Sequence, residues 1–234
     1  MYLDELPDLS RARLVRARAR GVAIRDGERA VAVAFVADGT LLPADTLVRF
    51  DVTQGEDPER RLADALATTG ARGIWFYGGD DVTRRAAIAL DLVFRPVGAV
   101  FIRRMDAERT AQIGFRPPSQ RDRLTLPDLQ RDHAPAFRAP LIEVGEIAGE
   151  SIGLTLSEAL DPHWTELRVV VYPPHRGQGH ASALLAAAAD RIEKTGRRVC
   201  AAIETAAGRE RSALESAGFR LADYYFVASR APRP

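Results

Sequence analysis

The sequence predicts a mixed α/β chain built from two similar halves, each a mixed, largely antiparallel sheet flanked by helices. Three observations predict it. Strand and helix patterns alternate along the chain, the same order of elements runs twice, and short words recur at a nearly constant spacing. Leu6-Pro-Asp-Leu9 returns as Leu126-Pro-Asp-Leu129, Thr69-Gly70 as Thr195-Gly196, and Phe94-Arg95 as Phe219-Arg220. The offsets are 120, 126 and 125 residues, a drift that small loop insertions produce. Three words in consistent order exceed what chance supplies, so the chain divides into 1–105 and 106–234.

In the first half, 21–25 and 30–36 alternate like strands and are joined at Asp26-Gly27, a favoured hairpin turn. Residues 47–52 form the next strand, and 58–69 a helix closed by Gly70. A strand at 73–77, a helix at 82–93 and a strand at 97–102 complete this half. The second half opens with a strand at 111–116, then strands at 140–144 and 151–156 flanking a connection at 145–150. A strand at 166–171, a helix at 180–195 closed by Gly196, a strand at 199–204, a helix at 209–217 and a strand at 222–228 follow.

Composition is that of an ordinary globular chain: 234 residues, 46% hydrophobic, 28% charged. A net charge of +1 gives no global field favouring nucleic acid or an anionic membrane. Five arginines between Arg11 and Arg20 form a solvated helix face rather than a nucleic-acid arm. Only Lys194 among the 33 basic residues is lysine, which codon bias explains. Cys200 is the single cysteine, set in an apolar run, so a buried small hydrophobe is expected and intrachain disulfides are excluded. His133, His163, His175 and His180 have no metal-ligand spacing, so no metal is expected. No apolar run reaches spanning length and no signal-peptide pattern opens the chain, so a cytoplasmic protein is expected, with an oligomer possible.

The chemistry concentrates in Val171-Tyr-Pro-Pro-His-Arg-Gly-Gln-Gly-His-Ala-Ser-Ala-Leu-Leu185. A β-branched run stops at a Pro-Pro corner, a glycine-rich turn carries one arginine, and a helix begins. Such a turn directs backbone N–H groups and a helix N-terminus at one point, where a pyrophosphate fits. Gly177 and Gly179 allow positive φ and close approach, and Arg176 adds a fixed charge with a planar fork of donors. Three arrangements fit: a turn that binds nothing, a dinucleotide fingerprint, and a coenzyme A pyrophosphate loop. Ser182 at the third glycine position and the long 173–176 corner count against the fingerprint. A Walker loop is excluded because no Gly-Lys-Ser/Thr follows.

This stretch resembles the signature of GNAT superfamily N-acetyltransferases, V-x-P-x-x-R-G-x-G-x-G/A-x-x-L-L. Ser212-Ala-Leu-Glu-Ser-Ala-Gly-Phe219 resembles the family's closing helix, which ends in a Gly-Phe pair before the last strand. The resemblance covers roughly 115–229, with both motifs in the right order. It implies acetyl-CoA as cofactor and acetyl transfer to an amine of a small molecule or peptide. It assigns cofactor contacts to Val169, Val170, Val171, Arg176, Gly177, Gln178, Gly179, His180, Ala181 and Ser182, with backbone contacts from Val169 and Val171.

Glu166 and Glu204 are the candidate bases. Glu166 lies one residue off the face shared by Thr165, Leu167 and Val169, so either a bulge turns it inward or it is a solvated glutamate. The family's frequent catalytic tyrosine corresponds to Leu214, and its asparagine to Ala207. Tyr224 and Tyr225 offer phenols, one of which is expected to face the core. The segment 117–140 borders the acceptor in relatives, which points Arg121, Arg123 and Arg131 at an acidic group there.

The first half lacks this loop. Phe50-Asp-Val-Thr-Gln-Gly-Glu-Asp57 stands in its place, where Asp51, Glu56 and Asp57 repel a pyrophosphate with no arginine to offset them. The half 1–105 is therefore expected to be a degenerate GNAT-like domain that helps shape the acceptor side, and 106–234 the acetyl-CoA-binding domain. The alternative is a non-catalytic acyl-CoA-binding or scaffolding protein that kept the cofactor loop.

Overall fold

The computed structural model describes residues 19–37, 39, 45–104, 113–119, 122, 141–204 and 207–230. The words at Leu6 and Leu126, the arginine run from Arg11 to Arg18, and Arg121, Arg123, Arg131 and His133 lie outside these residues, while Arg20, expected on the same helix face, opens a strand. The chain forms two compact units of mixed α/β structure, one holding 8–98 with 223–234 and the other 99–222.

In the first unit, β1 (Arg20–Asp26) and β2 (Arg29–Val36) form a hairpin. Its two-residue turn is Gly27-Glu28, one position later than expected, with Gly27 at φ 61°. β3 (Thr46–Val52) runs antiparallel to β2 and parallel to β4 (Gly73–Tyr77). Between β3 and β4, α1 (Pro58–Thr69) starts where the Asp57 carboxylate accepts the Glu59 N–H at 3.0 Å and ends at Gly70 with φ 70°. α2 (Asp81–Ala89) is shorter than expected. Asp91 turns the chain at φ 51°, and Val93 and Phe94 already belong to β5 (Val93–Arg103). Leu62, Ala65, Leu47, Ile74, Ala86 and Ala87 are buried together in one apolar core. Tyr225–Ser229 of β11 (Phe219–Ser229) runs antiparallel to β4. Tyr225 stacks on Trp75, ring centroids 4.4 Å apart, and so is the tyrosine of the pair that faces the core.

The acidic loop before α1 corrects one expectation, because arginines do offset it. Arg61 is buried and holds Glu56 at 2.7 Å and Asp26 at 2.8 Å, while Arg49 grips both oxygens of Asp51. These hydrogen bonds and charges hold the Asp26 carboxyl below its usual range. With Asp57 bonded to the first turn of α1, the N-terminus of that helix is occupied by the protein's own carboxylate.

In the second unit, β6 (Gly114–Arg116), β7 (Leu141–Ile147), β8 (Glu150–Ala159) and β9 (Trp164–Val171) follow one another antiparallel. β10 (Arg198–Glu204) is parallel to β9, and residues 99–103 of β5 supply its other neighbour. α3 (His180–Glu193) packs on β8 and β9, and α4 (Gly208–Ser216) on α3. The expected connection at 145–150 is instead mostly strand, with the turn at Ala148-Gly149. Gly145 and Gly153 pair across the hairpin; a Cβ at Gly145 would collide with Leu184 of α3, and one at Gly153 with the Val170 carbonyl of β9 and, more mildly, with Leu184. These glycines let the helix approach the sheet. Arg103, with its side chain 1% exposed, donates to the Ala217 carbonyl and to Asp190 at 3.0 Å, pinning β5 to both helices of this unit.

Candidate functional site

β9 and β10 are paired only from Trp164 to Glu166 and from Arg198 to Cys200. Beyond that point they part, and a cleft of about 1430 Å3 opens between them. This exceeds the roughly 300–1000 Å3 of most small-molecule sites and suits an extended ligand. Residues 167–171 and 201–203 form its inner walls, the turn before α3 one bank of its mouth, and α4 the other.

Backbone direction follows from the alternation of a strand. The Tyr172 N–H donates to Ile152 of β8, whereas the His163 carbonyl accepts the Arg198 N–H of β10. Even-numbered residues of β9 therefore spend their main-chain groups on β8, and odd-numbered ones point toward β10. Where β10 has moved away, the N–H and C=O groups of Leu167, Val169 and Val171 face the cleft. The two backbone contacts assigned to Val169 and Val171 have the direction they need. Val170 differs: its main chain is paired with Leu154, and its side chain lines the cleft.

At the mouth, Pro173–His175 makes one 3-10 turn, and the chain bends through Gly177 at φ 78° and Gly179 at φ 80° into α3. A Cβ at either glycine would meet nothing within 4 Å, so the surface above the turn is open. Gly179 is the N-cap without a side-chain cap, and the first intrahelical donor is Ala183 to the Gly179 carbonyl at 3.3 Å. The N–H groups of His180, Ala181 and Ser182 are the orphan donors of this helix end. No acidic residue lies in its first turn. Gln178 and Ser182 brace the turn from inside by donating to Pro174 and Gly179 carbonyls. Arg176 Nε donates to the Val171 carbonyl at 3.2 Å, which lays its guanidinium over the mouth. His175 and His180 also line the cleft, their rings 6.1 Å apart, with His175 3.7 Å from Glu150. No group of residues able to hold a metal occurs among the described residues.

Glu166 corrects the alternatives drawn from sequence. It is 2% exposed, so it is not solvated, and no register shift interrupts the β8–β9 pairing, so no bulge turns it. It stands where the strands part, opposite Cys200, on the face of Arg168 and Val170, and is not itself one of the residues lining the cleft. Arg168 lines the cleft and lies 4.0 Å from Glu166 and 3.6 Å from Glu158. Glu204 is exposed at the end of β10 and is not part of the cleft wall. Leu214 is buried in that wall, where it offers no proton, and Ala207 precedes α4 without capping it. Tyr224 and Tyr225 lie outside the wall, in the first unit. Cys200 is buried, as expected. Sequence reasoning missed Leu156, Leu185 and the outer residues of α4, above all Arg209; the Gly-Phe helix pattern was the signal for that bank.

The chain belongs to the acetyltransferase (GNAT) family, whose model matches residues 102–219. A GNAT-family acetyltransferase from Colwellia psychrerythraea shares the fold at a TM-score of 0.74 and 12% identity, over 96% of this chain and 90% of that one. A tandem GNAT protein from the clavulanic acid biosynthesis pathway matches at 0.58 and 15% identity, over 90% and 82%. A GCN5-related N-acetyltransferase from Kribbella flavida matches at 0.56 and 13% identity, over 94% and 96%. No curated protein matches the sequence. Family and fold together support acyl transfer in general. Among the described residues no helix is long and apolar enough to cross a membrane.

Proposed function

We propose that the chain is an N-acetyltransferase that takes its acetyl group from acetyl-CoA and passes it to an amine, with the reaction in the half 106–234. The observation that carries this reading is the cleft between β9 and β10, with inward-facing main-chain groups at Val169 and Val171 and a bare helix N-terminus at its mouth. Open space over Gly177 and Gly179, orphan N–H groups at 180–182 and the Arg176 fork suit a pyrophosphate. The donor supplies a thioester at the inner end. An N–H of Val169 or Val171 polarises its carbonyl, a contribution of about 3 kcal/mol where such donors have been removed from enzymes. Glu166, buried beside the cleft wall next to Arg168, is the base that takes the amine proton through water; Glu204, exposed and likewise off the wall, is the second candidate. Leu214 leaves protonation of the departing thiol to water.

The half 1–105 is, on the same reading, a degenerate GNAT-like copy that takes no cofactor, its helix N-terminus being capped by Asp57. Tandem arrangement, cytoplasmic residence and an amine acceptor, small molecule or peptide, belong to the proposal. Calorimetry with acetyl-CoA tests the cofactor assignment. Release of free thiol from acetyl-CoA with an amine panel then separates a transferase from a protein that only binds the acyl carrier.

A further inference from the structure

We infer that Arg209 reads the ribose 3′-phosphate of the donor, so that the chain distinguishes coenzyme A from its dephospho form. This rests on the reading of the cleft as a coenzyme A site. Coenzyme A carries two separate anionic groups, the pyrophosphate and the 3′-phosphate. The α3 bank accounts for the first only. Its donors are the N–H groups of one helix end and Arg176, and they converge on one point.

A second phosphate needs a second cation, and the remaining basic side chains of the wall narrow the choice. Arg168 is deep in the cleft, between Glu158 and Glu166. His175 sits by Glu150, and His180 belongs to the α3 turn. Arg209 is the basic residue of the opposite bank, in the first turn of α4. It is exposed and has no ion pair among the described residues. Glu210, its neighbour, also lines the cleft but forms no ion pair with it, adjacent helical residues being turned away from each other. Arg211, by contrast, is bound to Glu215 at 2.9 Å and is not in the wall. A planar fork with all its donors available, on the bank facing the pyrophosphate site, suits a phosphomonoester.

The test is calorimetric titration of the full chain with coenzyme A and with 3′-dephospho-coenzyme A, for the parent, Arg209→Ala and Arg209→Lys. The parent is expected to prefer coenzyme A by about tenfold or more, the scale of one charge-assisted hydrogen-bonded pair. Arg209→Ala abolishes that preference by weakening coenzyme A alone, and Arg209→Lys restores part of it. Equal binding of both ligands by the parent, or equal weakening of both by Arg209→Ala, overturns the inference and leaves the cleft assignment standing. If the parent binds neither ligand, the cleft assignment itself fails and this inference with it.

Discussion

Replacing Gly179 by aspartate puts a carboxylate where the pyrophosphate is to sit. The first unit already contains that arrangement, in which the Asp57 side chain caps α1. Two costs separate cleanly. Gly179 holds φ 80°, a conformation that costs an L-residue about 1–2 kcal/mol of fold stability. Gly179→Ala measures that part alone, since a Cβ there meets nothing within 4 Å. The carboxylate adds repulsion: two unit charges about 4 Å apart cost about 1 kcal/mol in water and about 4 kcal/mol near a protein surface. Affinity for acetyl-CoA should therefore fall between about fivefold and about 1000-fold in Gly179→Asp. Calorimetry supplies the affinity, and thermal unfolding shows that the variant is folded. A folded Gly179→Asp chain that binds acetyl-CoA as tightly as the parent refutes the phosphate-site reasoning.

Three further outcomes follow from the same contacts. Glu166→Gln should lower the transfer rate and remove the acidic limb, where the rate rises with pH, from its profile, whereas Glu204→Gln, at an exposed site at the end of β10, should not; an unchanged profile in Glu166→Gln removes it as the base. Arg116 and Ser119 hold the buried Asp122 carboxyl well below the usual carboxylate range, chiefly through the Arg116 hydrogen bonds. A depressed folded-state pKa adds stability above the unfolded value, so Asp122→Asn should destabilise at pH 7, and the gap to the parent, read by urea titration, should close as pH falls below about 4. Arg103→Ala leaves the largely buried Asp190 without its partner and should cost roughly 3 kcal/mol in denaturant unfolding, and Arg103→Met less.

What the sequence made legible is what local chemistry decides. Asp57-Pro58 and Gly70 bracket α1 as their capping preferences require, and the β-branched run of β9 stops at its proline corner. Gly177 and Gly179 turned out to be the positive-φ residues the turn needs. Contacts across long separations were not legible. Gly145 looked like turn chemistry, but its role is set by Leu184, 39 positions away, pressing on the sheet. Glu166 looked solvated or bulged because its burial comes from neighbouring strands rather than from its own alternation. The arginines that neutralise Glu56 and Asp51 lie within twelve residues of them, yet nothing in the spacing says which way their side chains fold.

The last strand has a consequence for any attempt to dissect the molecule. Residues 225–229, encoded in the second half, pair with β4, while 99–103, encoded in the first half, serve β10. A fragment ending at residue 105 would leave β4 with unpaired main-chain groups, and one starting there would bare β10. Open edges of that sort invite pairing with other chains. The two halves are consequently co-dependent for solubility, and gene-level shuffling of either one alone carries an aggregation penalty.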